Sequence, residues 1–131
     1  MNLQHEEALV TAFFLAGRRA RYISLLSSVR GRVRAISTFA HEAPIDPRYA
    51  QLVPKVQQTA GAIETLLRSS GAPASCYAIS ERSDIDGREL PLSEALAAVV
   101  GRGMGTFLSC VPGHLAYFEA EDRGERYILK K

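Results

Sequence analysis

The sequence predicts an α+β fold: three N-terminal helices packed on one face of a small, mainly antiparallel sheet. Three observations lead there. The first half carries apolar residues at helical spacing. The second half breaks into short apolar runs between glycine- and proline-marked turns, with one further helical run among them. Finally, 131 residues with 47% apolar and 23% charged content suit a single domain, residues 1–131, able to bury a core without metals or disulfides.

The elements follow in order. At about 100° per residue, Leu15, Tyr22, Leu25, Leu26, Val29, Val33 and Ile36 fall within one stripe about 100° wide. Gly31 weakens a single rod, so two consecutive helices are expected, residues 3–28 and 32–41, with the break near Arg30-Gly31. Ala43-Pro44-Ile45-Asp46-Pro47 is a loop, because each proline lacks an amide donor and turns its predecessor away from helix. In the third helix Pro54 suits the first turn, Val56, Ala60, Ile63, Leu66 and Leu67 recur at helical spacing, and Gly71 with Pro73 ends the run.

Residues Ser75 to Ser80 read as a strand, followed by a polar loop from Glu81 to Glu89 and a helix over Leu92 to Val100 that Gly101, Gly103 and Gly105 terminate. Three strands complete the chain, Thr106 to Val111, His114 to Ala120 and Glu125 to Leu129, separated by turns at Pro112-Gly113 and Asp122-Arg123-Gly124. Short turns between sequential strands make them antiparallel neighbours: a strand, a helix and a three-strand meander.

Charge is unevenly placed. The net +2 divides into +4 over residues 1–70 and −2 over residues 71–131, and 13 of the 16 basic residues are arginine. Six of these, Arg18, Arg19, Arg21, Arg30, Arg32 and Arg34, lie in a stretch with no acidic residue between Ala8 and His41. On the helical wheel Arg21 and Arg32 edge the apolar stripe on one side, Arg19, Arg30 and Arg34 edge it on the other, and Arg18 projects near its centre. Arginines so placed pack their methylene stems on the stripe, keep their heads in water, and pair in part with Glu81, Asp84, Asp86 or Glu89. Where they remain unpaired they form an anion-binding surface for nucleic acid or for a phosphorylated or carboxylated ligand.

Several short motifs invite chemistry and lose it on inspection. Gly101-Arg102-Gly103-Met104-Gly105 follows a helix C-terminus, whereas phosphate-cradling loops precede a helix N-terminus, so it reads as a helix cap. Asp84-Ile85-Asp86-Gly87 resembles part of a calcium loop, but Arg82 and Ser93 occupy the two anchor positions, and no metal is expected. Ser109-Cys110-Val111-Pro112-Gly113-His114 holds a hydroxyl, a thiol and an imidazole. A two-residue turn would pair Ser109 with Ala116 and Phe107 with Phe118, placing Cys110 and His114 on opposite faces of the sheet. Ser109 and His114 would share a face, with no carboxylate to orient the histidine. His41 ends a helix, where the dipole alone favours it, beside Glu42 and Asp46, and His5 sits beside Glu6 and Glu7 at a helix start.

Cys76 and Cys110 have neither secreted-framework nor metal-knuckle spacing, and the uncharged run from Ala8 to Gly17 is preceded by Glu6 and Glu7 and is too short to span a bilayer. A cytoplasmic protein without membrane contact or cofactor is the expectation. The sequence contains no Trp and no aromatic run among the arginines, so no base-stacking platform is visible. The leading expectation is a non-enzymatic binding domain that offers Arg19, Arg21, Arg30, Arg32 and Arg34 to an anionic partner. A small enzyme using His41 or His114 in a helix–sheet cleft, with Ser109 nearby, is the first alternative. The second is a homodimeric interaction module, motivated by Leu9, Val10, Phe13, Phe14 and Leu15, which leave one helix apolar over much of its circumference.

Overall fold

The structure is a computed structural model that describes residues 1–122 and 124–131. It is α+β, with five α-helices and six strands among the described residues: α1 (Leu3–Phe13), α2 (Arg19–Leu26), α3 (Val29–Glu42), β1 (Ala50–Leu52), α4 (Ala60–Ser69), β2 (Ser75–Ser80), β3 (Glu89–Pro91), α5 (Leu92–Val99), β4 (Thr106–Val111), β5 (Leu115–Glu119) and β6 (Arg126–Lys130). One sheet runs in the order β1-β6-β5-β4-β2-β3, and every neighbouring pair is antiparallel.

Alternation along the strands divides the interior in two. Tyr77, Ile79, Phe107, Ala116, Phe118 and Leu129 face α1, α2 and α3. Cys76, Ala78, Leu108, Cys110, Leu115, Tyr117 and Ile128 face the other way, onto Ile63 and Leu67 of α4 and Leu92 and Leu96 of α5. The third helix expected on the common face with its two predecessors is therefore on the opposite face. The reason is that both sides of this sheet are apolar, and one layer of helices covers only one of them.

The predicted break near Gly31 is displaced. The chain first leaves helix at Phe14, whose backbone is extended, and Leu15 N–H then donates to the Pro44 carbonyl. It leaves helix again at Ser27-Ser28, and the Ser28 side chain caps α3 by accepting from Gly31 N–H. Gly31 lies inside the first turn of α3, where the last turn of α2 comes close: a Cβ would stand 2.4 Å from the Leu25 carbonyl oxygen. Thr59 caps α4 in the same way, accepting from Ala62 N–H, so that helix begins later than Pro54 suggests. The short edge strands β1 and β3 are not among the strands the sequence predicts: Ala50–Leu52 falls in no predicted element, and β3 starts at the last residue of the expected polar loop. Of the expected turn Asp122-Arg123-Gly124, Arg123 lies outside the described residues.

Leu9, Val10, Phe13 and Phe14 are buried in the molecule's own core, while Leu15 is 42% exposed. The apolar first helix is thereby explained within one chain, which removes the motive for a homodimer. Among the described residues no helix is long and apolar enough to cross a membrane.

Candidate functional site

The six clustered arginines divide three ways. Arg18, Arg21, Arg30 and Arg34 are exposed, and among the described residues none lies within ion-pair distance of a carboxylate. Arg19 is partly buried and its Nε donates to the Phe14 carbonyl at 3.1 Å, closing the end of α1. Arg32, placed by the wheel at the stripe's edge with the solvent-facing set, is instead 4% exposed. Its Nη1 donates to Glu6 Oε1 at 2.6 Å, and Nε and Nη2 donate to the two oxygens of Asp86 at 2.8 and 2.9 Å. Two carboxylates fill that fork, so the Arg32 charge is met inside the protein, although Arg32 and Asp86 also border a surface cavity of about 290 Å³. Burial pulls its pKa down, but the hydrogen bonds to Asp86 and Glu6 outweigh that and leave it above the ordinary value.

The network continues through α1 and the sheet. Tyr77 Oη donates to Glu6 Oε2 at 2.6 Å and accepts from Asn2 N–H, and burial with the Glu6 bond pushes the phenol's pKa up to about 12. His5 stacks on Tyr77 with ring centroids 4.9 Å apart and places Nε2 2.7 Å from Ser109 Oγ. Ser109 thus meets His5 and not His114. The expected pairings Ser109↔Ala116 and Phe107↔Phe118 are present, but a bulge at Cys110 sets Val111 opposite Leu115 and leaves His114 exposed in the turn. Ser109 is 1% exposed, so no substrate reaches its hydroxyl. Cys76 and Cys110 are buried on the α4–α5 face, and burial pushes each thiol up to about 12, far from a reactive thiolate.

His41, at the end of α3, borders a cavity of about 320 Å³ with Tyr127 and Glu125, and its Nδ1 lies 2.6 Å from Glu121 Oε2. Both side chains of that pair are more than half exposed. The structure therefore brings His41 to a carboxylate, but not to Ser109 or His114. Asp84 and Asp86, the core of the calcium-like motif, are taken by Arg82 and Arg32 respectively.

The glycine loop after α5 proves to be an anion site already filled by the protein. Glu119, 1% exposed, accepts Gly101 N–H on Oε1 at 3.0 Å and Gly103 N–H on Oε2 at 2.9 Å, while Glu81 accepts from Gly105 N–H at 3.0 Å. Tyr117 Oη also donates to Glu119 Oε1 at 2.8 Å. Beside this carboxylate lies Arg126, at one wall of an open cavity of about 660 Å³. Sequence reasoning passed over Glu119, Arg126 and Gln58. The available signal was the alternation Leu115, Tyr117, Glu119, which puts a carboxylate in register with buried residues.

No family model matches this chain, and no curated protein or solved structure matches it.

Proposed function

We propose that this chain is a binding domain for an anionic partner, nucleic-acid backbone foremost, engaged through the outer surface of α2 and α3. One observation carries the reading: Arg21, Arg30 and Arg34 on two consecutive helices, with Arg18 just before the first of them, are exposed with no carboxylate paired to them among the described residues. Of the other described arginines, Arg32, Arg48, Arg68, Arg82 and Arg126 have an ionic partner, while Arg19, Arg88 and Arg102 have none. Guanidinium groups left without a counter-charge repel one another, and a row of phosphates relieves that repulsion. Val29 and Val33, 86% and 67% exposed, lie on α3 beside Arg30 and Arg34 and add an apolar strip for sugar or base edges.

The test is a titration of labelled single-stranded and duplex oligonucleotides over a range of salt. Four phosphate contacts give log K a slope against log salt of about −3 to −4. Replacing Arg30 and Arg34 together by alanine lowers affinity at least tenfold and reduces that slope by about 2. Absence of binding at low ionic strength, or binding indifferent to the double variant, removes this reading.

One observation favours a second reading, a small enzyme: the His41–Glu121 pair at the edge of a cavity, with Nε2 left as the ring's other nitrogen for proton transfer. Turnover of an ester, amide or phosphodiester that disappears in His41→Gln supports it. Turnover that is absent, or that survives the substitution, ends it.

A further inference from the structure

Arg126, largely but not fully buried, has few of its donors used. Its side chain is only 17% exposed. Of its five N–H donors one makes a well-formed hydrogen bond, Nη1 to Gln58 Oε1 at 2.9 Å. Nε lies 3.3 Å from Glu119 Oε1 but makes no hydrogen bond, and it is the one buried side-chain polar atom without a partner among the described residues. Glu119 is already occupied by two amides and a phenol, so it neutralises the guanidinium in charge without completing it in hydrogen bonds. That orphan is turned to Glu119 and closed to a ligand; both hydrogens on Nη2 and the second on Nη1 are the donors left over for one.

The guanidinium is also held still. Gln58 donates through Nε2 to the Val53 and Gly124 carbonyls at 2.8 and 3.2 Å, and this fixes the oxygen that Arg126 meets. Nη2 lies on the side of Gly101, 3.8 Å from the point a Cβ would occupy there. The cavity that Arg126 borders has an apolar wall of Leu52, Val53 and Pro54, with Lys55 beside it. Leu52 is 54% exposed, an apolar side chain open to solvent on an edge strand.

We propose that this cavity is a binding site for a small organic oxyanion, whose charged group takes the free Nη donors of Arg126 with Lys55 as second cation, and whose apolar body lies on Leu52 and Pro54. A planar fork of donors suits a carboxylate or a phosphate ester. The cavity's volume falls in the range of small-molecule sites. This site shares no residue with the arginine surface on α2 and α3, and either proposal can fail without the other.

The experiment is an amide NMR titration of the full chain with 3-methylbutanoate, methyl phosphate and, as an uncharged control, 3-methylbutanol. The expected result is a saturable shift confined to Gly101, Gly124 and the Gln58 side-chain amide, with at least one anion binding tenfold or more tightly than the alcohol. Tighter binding of the carboxylate assigns an organic acid, and the reverse order assigns a phosphate ester. Lys55→Gln, on the exposed turn, should weaken anion binding two- to fivefold in a chain with an unchanged spectrum elsewhere. Arg126→Lys, which keeps the charge and loses the fork, should abolish saturation. No saturable shift at about 50 mM of either anion, or equal binding of the alcohol, overturns the proposal, as does an affinity unmoved by Lys55→Gln.

Discussion

Two arginines, the buried Arg32 and the partly buried Arg126 on the other side of the sheet, meet carboxylates in opposite ways. Arg32 is surrounded: Glu6 and Asp86 occupy Nη1, Nε and Nη2, and Tyr77 completes the remaining Glu6 oxygen. Arg126 is merely flanked, because the single carboxylate beside it is already shared with Gly101, Gly103 and Tyr117. The first arrangement joins α1, α3 and the loop after β2 into one structural unit. The second leaves donors facing a cavity. Counting charges would call both centres ion pairs; only the accounting of individual N–H groups separates a structural arginine from one with capacity for a ligand.

The largest test of this contrast is Arg32→Ala, which strands the buried Glu6 carboxylate and leaves the partly exposed Asp86 without its partner. A loss of about 3–5 kcal/mol is expected in urea unfolding; a loss below about 1 kcal/mol would mean that the network is not closed. Glu119→Gln comes next. The amide cannot accept from both glycine N–H groups as the carboxylate does, so about 2 kcal/mol should be lost, with faster hydrogen exchange at Gly101 and Gly103 than elsewhere in the sheet.

A smaller effect is expected from pH. Burial holds the His5 ring below the ordinary value of about 6.5, outweighing the opposite pull of Glu89 and Glu6. The fold therefore favours the neutral ring: its contribution is complete above about pH 6.5 and declines as pH falls through the lowered folded value. His5→Gln should flatten that part of the stability profile relative to the parent chain, and identical slopes would separate His5 from the Arg32 network. The smallest effect belongs to the solvent-facing arginines, where Arg30→Ala with Arg34→Ala should change stability by no more than about 0.5 kcal/mol. A larger loss would place them with Arg32.

What could be read from residue order was mostly what depends on local pattern. Strands β2 and β4 begin and end where apolar alternation between Pro73, Gly105 and Pro112 puts them. The opposite facing of Ser109 and Cys110 followed from strand period alone. Position across the sheet was not legible, because the apolar stripe of α4 matches either face equally well; only the choice of sheet neighbours decides. Helix breaks were legible as breaks but misplaced, since Gly31 lies inside α3, where it leaves room for the last turn of α2 across the Ser27-Ser28 connection. The candidate site on α2 and α3 was visible as charge, yet Arg32 could not be told from its neighbours. Its partners Glu6 and Asp86 lie 26 and 54 residues away in the chain. Arg126 escaped notice for the same reason, with Gln58 at a separation of 68 residues.

The sheet closes at its edge by pairing β1 with β6, Ala50 opposite Leu129, and this has a kinetic meaning. The meander of β4, β5 and β6 forms through short turns, while β1 must wait for a loop of about eighty residues to close, a cost in chain entropy that local contacts do not repay early. The wall containing Leu52, Val53 and Pro54 is therefore expected to arrive after the barrier to folding. An oxyanion bound against it should slow unfolding and leave the folding rate unchanged, because it stabilises a part of the molecule absent from the transition state.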